Sequence, residues 1–267
     1  MKEQKHTVTV ADVAQAIESF APRQLQESYD NAGLQVGDPA RPVTGVLCCL
    51  DVTSDIMEEA KERSCNLIVS HHPLLFGGLR HITPSDERGR IVMDAVREGI
   101  CLYAAHTNLD RTCEGVSYEI ARVLGVSDME VLSPDSHDPH RGLGIIGSVQ
   151  PKPALAFLRQ VKETFHVQCM RYSQSMPRVT VRRVAVCGGA GASLIRDAVE
   201  QHADVIVTGD VKYHDYTAFA GQILIADIGH FESEICTKKI FARIIRERFP
   251  ELGTYLAENE TSPINCI

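Results

Sequence analysis

The chain has 267 residues, 44% of them hydrophobic and 23% charged, with a formal net charge of -8. That is the balance of a soluble globular protein with one large or two small cores. The acidic balance without a dense basic run argues against direct nucleic-acid binding, and no apolar run reaches membrane-spanning length. The polar start, Met1-Lys2-Glu3-Gln4-Lys5, is no secretory leader and predicts a cytoplasmic protein. Nine cysteines, an odd number with no C-x-x-C, read as reduced thiols, with Cys48, Cys49, Cys101 and Cys187 in apolar runs.

Thr9 to Ala21 reads as an amphipathic helix capped by Thr9, with Asp12 three residues on and a stripe of Val10, Val13, Ile17 and Phe20. Ser28 to Gly33 is a turn into the strand Leu34 to Gly37. Val43 to Leu50 is a strand, and the segment from Asp51 to Ser54 opens a helix running to Arg63. Asn66 to Ser70 is an apolar strand that stops at His71-His72-Pro73. Leu75 to Asp86 is a loop, Arg88 to Glu98 a helix, and Ile100 to Ala105 a strand ending in His106-Thr107-Asn108-Leu109-Asp110. The Pro-, Asp- and His-rich Ser133 to Arg141 is the predicted linker. Beyond it come strand Leu143 to Val149, helix Lys152 to Phe165, and strands Val167 to Tyr172 and Arg178 to Cys187. Helix Ser193 to His202, strand Asp204 to Asp210, strand Ile223 to Asp227 and a last helix Ser233 to Arg248 complete the chain.

Strands alternating with helices predict an α/β protein with mainly parallel mixed sheets flanked by helices. The order also repeats. Asn66 to His72 lies over Asp204 to Asp210, Ile56 and Ala60 lie over Leu194 and Ala198, and Ile100 to Ala105 lies over Gln222 to Asp227. The prediction is therefore two related halves, 1–132 and 133–267, with a site between equivalent strand ends. Imidazoles at His71 and His72 should be matched after the corresponding strand of the second half. There His230 and Glu234 stand four residues apart, on one helix face.

The predicted metal ligands are His71, His72, Asp110, His230 and Glu234. Three imidazoles and two carboxylates suit two ions of zinc, iron or manganese better than calcium or magnesium. Adjacent histidines diverge, so they serve two ions more readily than one, with Glu234 as the bridge. Singly, each feature has a plainer reading: a polar strand end, a surface pair, a helix cap for Asp110. His106 is either a group behind the ligands or a proton-moving catalytic residue. Asp51 reads first as a helix cap and second as a group orienting a ligand. His214 reads as part of a solvated loop. Gly188-Gly189-Ala190-Gly191 is a tight turn without the spacing of a dinucleotide or P-loop motif.

Tyr29-Asp30-Asn31-Ala32-Gly33-Leu34-Gln35-Val36-Gly37, Leu50-Asp51-Val52-Thr53, Ser70-His71-His72-Pro73-Leu74, His106 to Asp110, Cys187-Gly188-Gly189, Thr208-Gly209-Asp210 and Gly229-His230 with Glu234 span nearly the whole chain. Together they resemble the NIF-three-like dinuclear-metal family, labelled GTP cyclohydrolase I type-two-like. The resemblance implies a toroidal homohexamer with paired metals, and ligand roles for the same five residues. Longer members insert a domain between the halves; Ser133 to Arg178 is too short for one. The expected activity is metal-dependent hydrolysis of a nucleotide-like or phosphate-bearing small molecule. The alternative is a non-catalytic metal-binding or delivery protein, or a hexameric scaffold.

Overall fold

A computed structural model describes residues 7–174 and 180–267. The polar start at residues 1–5 and the first two residues of the strand expected from Arg178 lie outside the described residues. In chain order the elements are α1 (Val10–Phe20), β1 (Gly33–Val36), β2 (Val46–Cys49), α2 (Ser54–Glu62), β3 (Leu67–Ser70), α3 (Glu87–Glu98), β4 (Cys101–Ala104), α4 (Thr107–Asp110) and α5 (Val116–Val123). There follow β5 (Ser127–Asp135), β6 (Asp138–Pro153), α6 (Ala154–Thr164), β7 (Arg171–Tyr172), β8 (Thr180–Val186), α7 (Ile195–Glu200), β9 (Val205–Thr208), α8 (Tyr213–Ala218), β10 (Leu224–Asp227), α9 (His230–Glu234), α10 (Thr237–Arg248) and β11 (Thr254–Leu256). They form two units, Met1–Leu109 with Thr237–Thr261 and Asp110–Cys236 with Ser262–Ile267.

The first unit holds a sheet in the order β1-β4-β3-β2-β11, in which only the β1 pairing is antiparallel. β2, β3 and β4 are buried at every position, as parallel strands covered on both faces must be. Ile56 and Ala60 of α2 share a core with Leu47, Ile68 and Leu102 of the strands and Ile91 and Ala95 of α3. α10 buries Ile240, Phe241, Ile244 and Ile245 and packs on β2 and β3. The predicted capping box of α1 is present: Oγ1 of Thr9 accepts from Asp12 N at 3.3 Å, and Thr9 N donates to Oδ2 of Asp12 at 2.8 Å. Thr9→Ala removes it and should cost about 1 kcal/mol, read as a Tm about 2–4 °C lower in a thermal melt.

The second unit holds a sheet in the order β5-β6-β8-β9-β10-β7. β8, β9 and β10 are parallel neighbours, and β7 closes on β10 antiparallel as β1 does on β4. Leu194 and Ala198 are buried in its core with Ala185, Ile206 and Ile225, the place the repeat assigned them. Both units thus carry the same three-stranded parallel centre. The mainly parallel expectation holds for the first sheet; in the second, the antiparallel β5 and β6 occupy one edge.

Several boundaries differ from the sequence reading. The predicted linker, Ser133 to Arg141, is the tip of the β5–β6 hairpin, with Ser133 opposite Leu143 and Asp135 opposite Asp138. Proline and aspartate mark a tight turn as readily as a connector. The boundary expected after residue 132 therefore falls inside β5. The chain changes unit at Asp110, which was expected within the first half, and α10 and β11 belong to the first unit. The last helix is two, α9 and α10, parted at Ile235 and Cys236, and the strand expected over Val167 to Tyr172 shrinks to β7. Cys48, Cys49, Cys101 and Cys187 are buried. No helix among the described residues is long and apolar enough to cross a membrane.

Candidate metal centre

In the first unit the carboxyl ends of β3 and β4 bring three imidazoles together. Sheet hydrogen bonding continues past β3: His71 N donates to Cys49 O at 3.2 Å and His72 N to Leu50 O at 3.0 Å, which fixes both backbones. Ring centroids lie 5.1 Å apart for His71 and His72, 5.2 Å for His71 and His106, and 5.4 Å for His72 and His106. One ring nitrogen of each lies within 4.8 Å of the others.

Each imidazole is oriented from behind. Nδ1 of His71 donates to Ala105 O at 2.9 Å, Nδ1 of His72 to Oδ1 of Asp51 at 2.8 Å, and Nδ1 of His106 to Oδ1 of Asp30 at 2.9 Å. Asp51 therefore does not cap α2; Oγ1 of Thr53 does, accepting from Ile56 N at 3.3 Å. Asp30 was not singled out in the sequence as a site residue, although it stands in the quoted Tyr29-Asp30-Asn31 stretch. Burial pushes its carboxyl up, but hydrogen bonds from His106 and Thr107, the His106 charge and the Asn31 N–H outweigh burial and hold it well below the usual carboxylate range.

In the second unit the equivalent edge carries His230, Glu234 and Asp210. Nδ1 of His230 donates to Oδ2 of Asp210 at 2.8 Å and Nε2 meets Oε2 of Glu234 at 2.9 Å. With both nitrogens donating, the ring holds a proton. The Glu234 hydrogen bond, with its charge and that of Asp210, outweighs burial and pushes the His230 pKa up to about 9. A cation at Nε2 would meet the same carboxylate as that proton does. Asp210 is held at φ 55, a conformation aspartate tolerates, and this aims its carboxylate at His230. Buried Asp227 accepts from Gly229 N at 3.1 Å and Val211 N at 3.2 Å, which pins the turn before α9.

Carboxylate oxygens of Asp110 and Glu234 come within 4.8 Å of each other. Cys187 stands near both, and burial, then their charges, pushes its thiol up to about 12, so it stays neutral rather than offering a thiolate. Gly189 follows β8 at φ 59, and a Cβ there would collide with Oε1 of Glu234. The glycine turn thus gives Glu234 room. His214 lies exposed on α8, its ring 5.4 Å from that of Tyr213.

The structure therefore groups His71, His72 and His106 in one unit and Asp110, His230 and Glu234 in the other. All four histidines commit Nδ1 to an oxygen acceptor, so Nε2 is the nitrogen that could reach a metal ion. Imidazole and carboxylate groups together fit a borderline divalent metal.

Comparison with known proteins shows what the chain is similar to. The Duf34/NIF3 (NGG1p interacting factor 3) family profile matches residues 8–263. A Lactococcus lactis protein named GTP cyclohydrolase 1 type 2 homolog is 31% identical over 262 residues, covering 95% of this chain and 98% of its own. A Clostridium acetobutylicum protein of the same name is 34% identical over 252 residues, covering 92% and 93%. A hypothetical protein of Staphylococcus aureus has a crystal structure similar to this one, with a TM-score of 0.91 at 26% identity, covering 98% of this chain and 100% of that one.

Proposed function

This chain belongs to the Duf34/NIF3 family, and from that premise we propose that it is a divalent-metal-dependent hydrolase with a dinuclear centre. The ligands are His71, His72, Asp110, His230 and Glu234. His106 joins them on this reading, in place of the proton-moving role suggested by sequence. Its Nδ1 is taken by Asp30, and one of its ring nitrogens lies among those of His71 and His72. The observation that carries the reading is the shared orientation of the four imidazoles, each held through Nδ1 by Asp51, Asp30, Asp210 or the Ala105 carbonyl.

Two ions of zinc, iron or manganese would supply a Lewis acid and lower the pKa of a water towards neutrality. The chain's own part is orientation. The carboxylates of Asp30, Asp51 and Asp210 fix the rings of the imidazoles they hold. Glu234 and Asp110 supply the negative charge that two cations require. The substrate is a nucleotide-like or phosphate-bearing small molecule, a class supported by the name of the relatives. Six copies form a toroid on the same reading, and native mass measurement should give six times the mass of the chain. A cytoplasmic setting belongs to the same proposal.

The test is elemental analysis followed by turnover. Purified protein should carry about two divalent ions per chain. Chelation should lower Tm, because a ligand present at 100 times its Kd stabilises the folded state by about 2.7 kcal/mol, and re-addition should restore it. Metal-dependent release of product from a nucleotide and phosphoester panel completes the proposal. Stoichiometric metal with no turnover on any member would reduce it to a metal-binding protein.

A further inference from the structure

Two large aromatic side chains stand exposed beside the imidazole cluster of the first unit. Tyr29 is 66% exposed and Phe76 45% exposed. Their rings meet edge-on with centroids 6.3 Å apart, and Phe76 meets the His106 ring edge-on at 5.7 Å. Clustered exposed rings point to a contact surface more than singly scattered ones do.

The loops that carry these rings are tied together. Nδ2 of Asn31 donates to Leu75 O at 2.8 Å, and Leu75 N donates to Oε1 of Gln35 at 3.2 Å. Nε2 of Gln35 donates back to Asn31 O at 2.6 Å. Three consecutive residues thus do three things: Tyr29 forms part of the wall, Asp30 orients His106, and Asn31 anchors the backbone next to Phe76. A wall fixed in this way loses little entropy when a ligand packs on it.

We propose that Tyr29 and Phe76 form a preorganised aromatic wall that receives a flat aromatic or heteroaromatic ring of the substrate, beside the metal-binding imidazoles. This rests on the dinuclear reading for the place of the chemistry, but ring recognition itself needs no turnover. Stacking on such a wall is tolerant of ring identity, because every base or aryl group presents a π-face. The wall therefore selects for a ring-bearing substrate over a ringless one, and less strongly among rings.

Binding of paired probes to the metal-loaded protein tests this. The ring-bearing probes are guanosine monophosphate, adenosine monophosphate and 4-nitrophenyl phosphate; the ringless ones are ribose 5-phosphate and methyl phosphate. In titration calorimetry the ring-bearing probes should bind about ten-fold or more tightly than the ringless ones, the range expected for one stacked ring. Phe76→Ala and Tyr29→Ala should each erode that ratio with metal content unchanged, and Phe76→Tyr should keep it. Equal affinity for both sets, binding of neither set, or a ratio indifferent to Phe76→Ala overturns the proposal. A Phe76→Ala protein of lower native mass would assign the rings to a contact between copies and overturn it too. A ratio present in the wild type and lost in Phe76→Ala, in a protein that never turns substrate over, leaves the wall standing and removes only the hydrolase.

Discussion

His72→Ala is expected to weaken divalent-metal binding by more than about 100-fold, with the chain still folded. The imidazole is partly exposed, so its loss opens no buried cavity, and the flanking backbone stays pinned by the bonds from His71 N and His72 N to Cys49 and Leu50. What disappears is a ligand already aimed by Asp51 at 2.8 Å. Asp51→Asn keeps the ligand and removes only the negative charge behind it, and should cost about 10–100-fold, as is typical of groups that orient a metal-bound histidine. Metal content by elemental analysis, with circular dichroism as the fold control, reads both. Equal metal retention in wild type and His72→Ala would remove His72 from the centre, and with it the proposed ligand set.

Gly189→Ala should damage the centre from the opposite direction, by displacing a ligand. Two costs coincide there. A side chain at φ 59 costs about 1–2 kcal/mol of backbone strain, and the added Cβ would stand 3.0 Å from Cδ of Glu234 and closer to its Oε1. Glu234 cannot retreat cheaply, because it is buried and Ser233 ties α9 to the same turn by accepting from Gly189 N at 2.9 Å. The expected result is a Tm lower by about 2–8 °C and clearly weaker metal binding. Gly125→Ala is the matched control: its φ is 74, but nothing lies within 4 Å of the added Cβ. It should show the strain and keep the metal. If the two variants bind metal alike, the link from the glycine turn to Glu234 is wrong.

Much of this was legible in the residues because the signals were local. The Thr9 cap with Asp12, the buried runs of β2, β3 and β4, and the abrupt end of β3 at His71-His72-Pro73 each depend on neighbours in sequence. The repeat was legible for the same reason, since it is a pattern of periodicities at equal spacing. It led correctly to the parallel triplets β2, β3, β4 and β8, β9, β10. Asp30 escaped because its bond to His106 spans 76 positions, and nothing near it in sequence shows an imidazole. Asp51 was assigned to the wrong end of the argument because a carboxylate before a helix suits capping equally well. The hairpin at Ser133 to Arg141 and the return of α10 to the first unit were missed because turn composition and amphipathicity show that a segment bends or has a face, not what it meets.

By itself, then, the sequence determined the strands and helices of the two repeated centres, and that metal-ligating residue types follow the carboxyl ends of those strands. Those are consequences of side-chain periodicity and backbone preference, which act over a few residues. Only the tertiary structure decided which oxygen stands behind each imidazole, that His106 groups with His71 and His72, and that Gly189 must lack a side chain for Glu234 to fit. Such matters turn on ångström distances between residues far apart in the chain, and packing alone sets those.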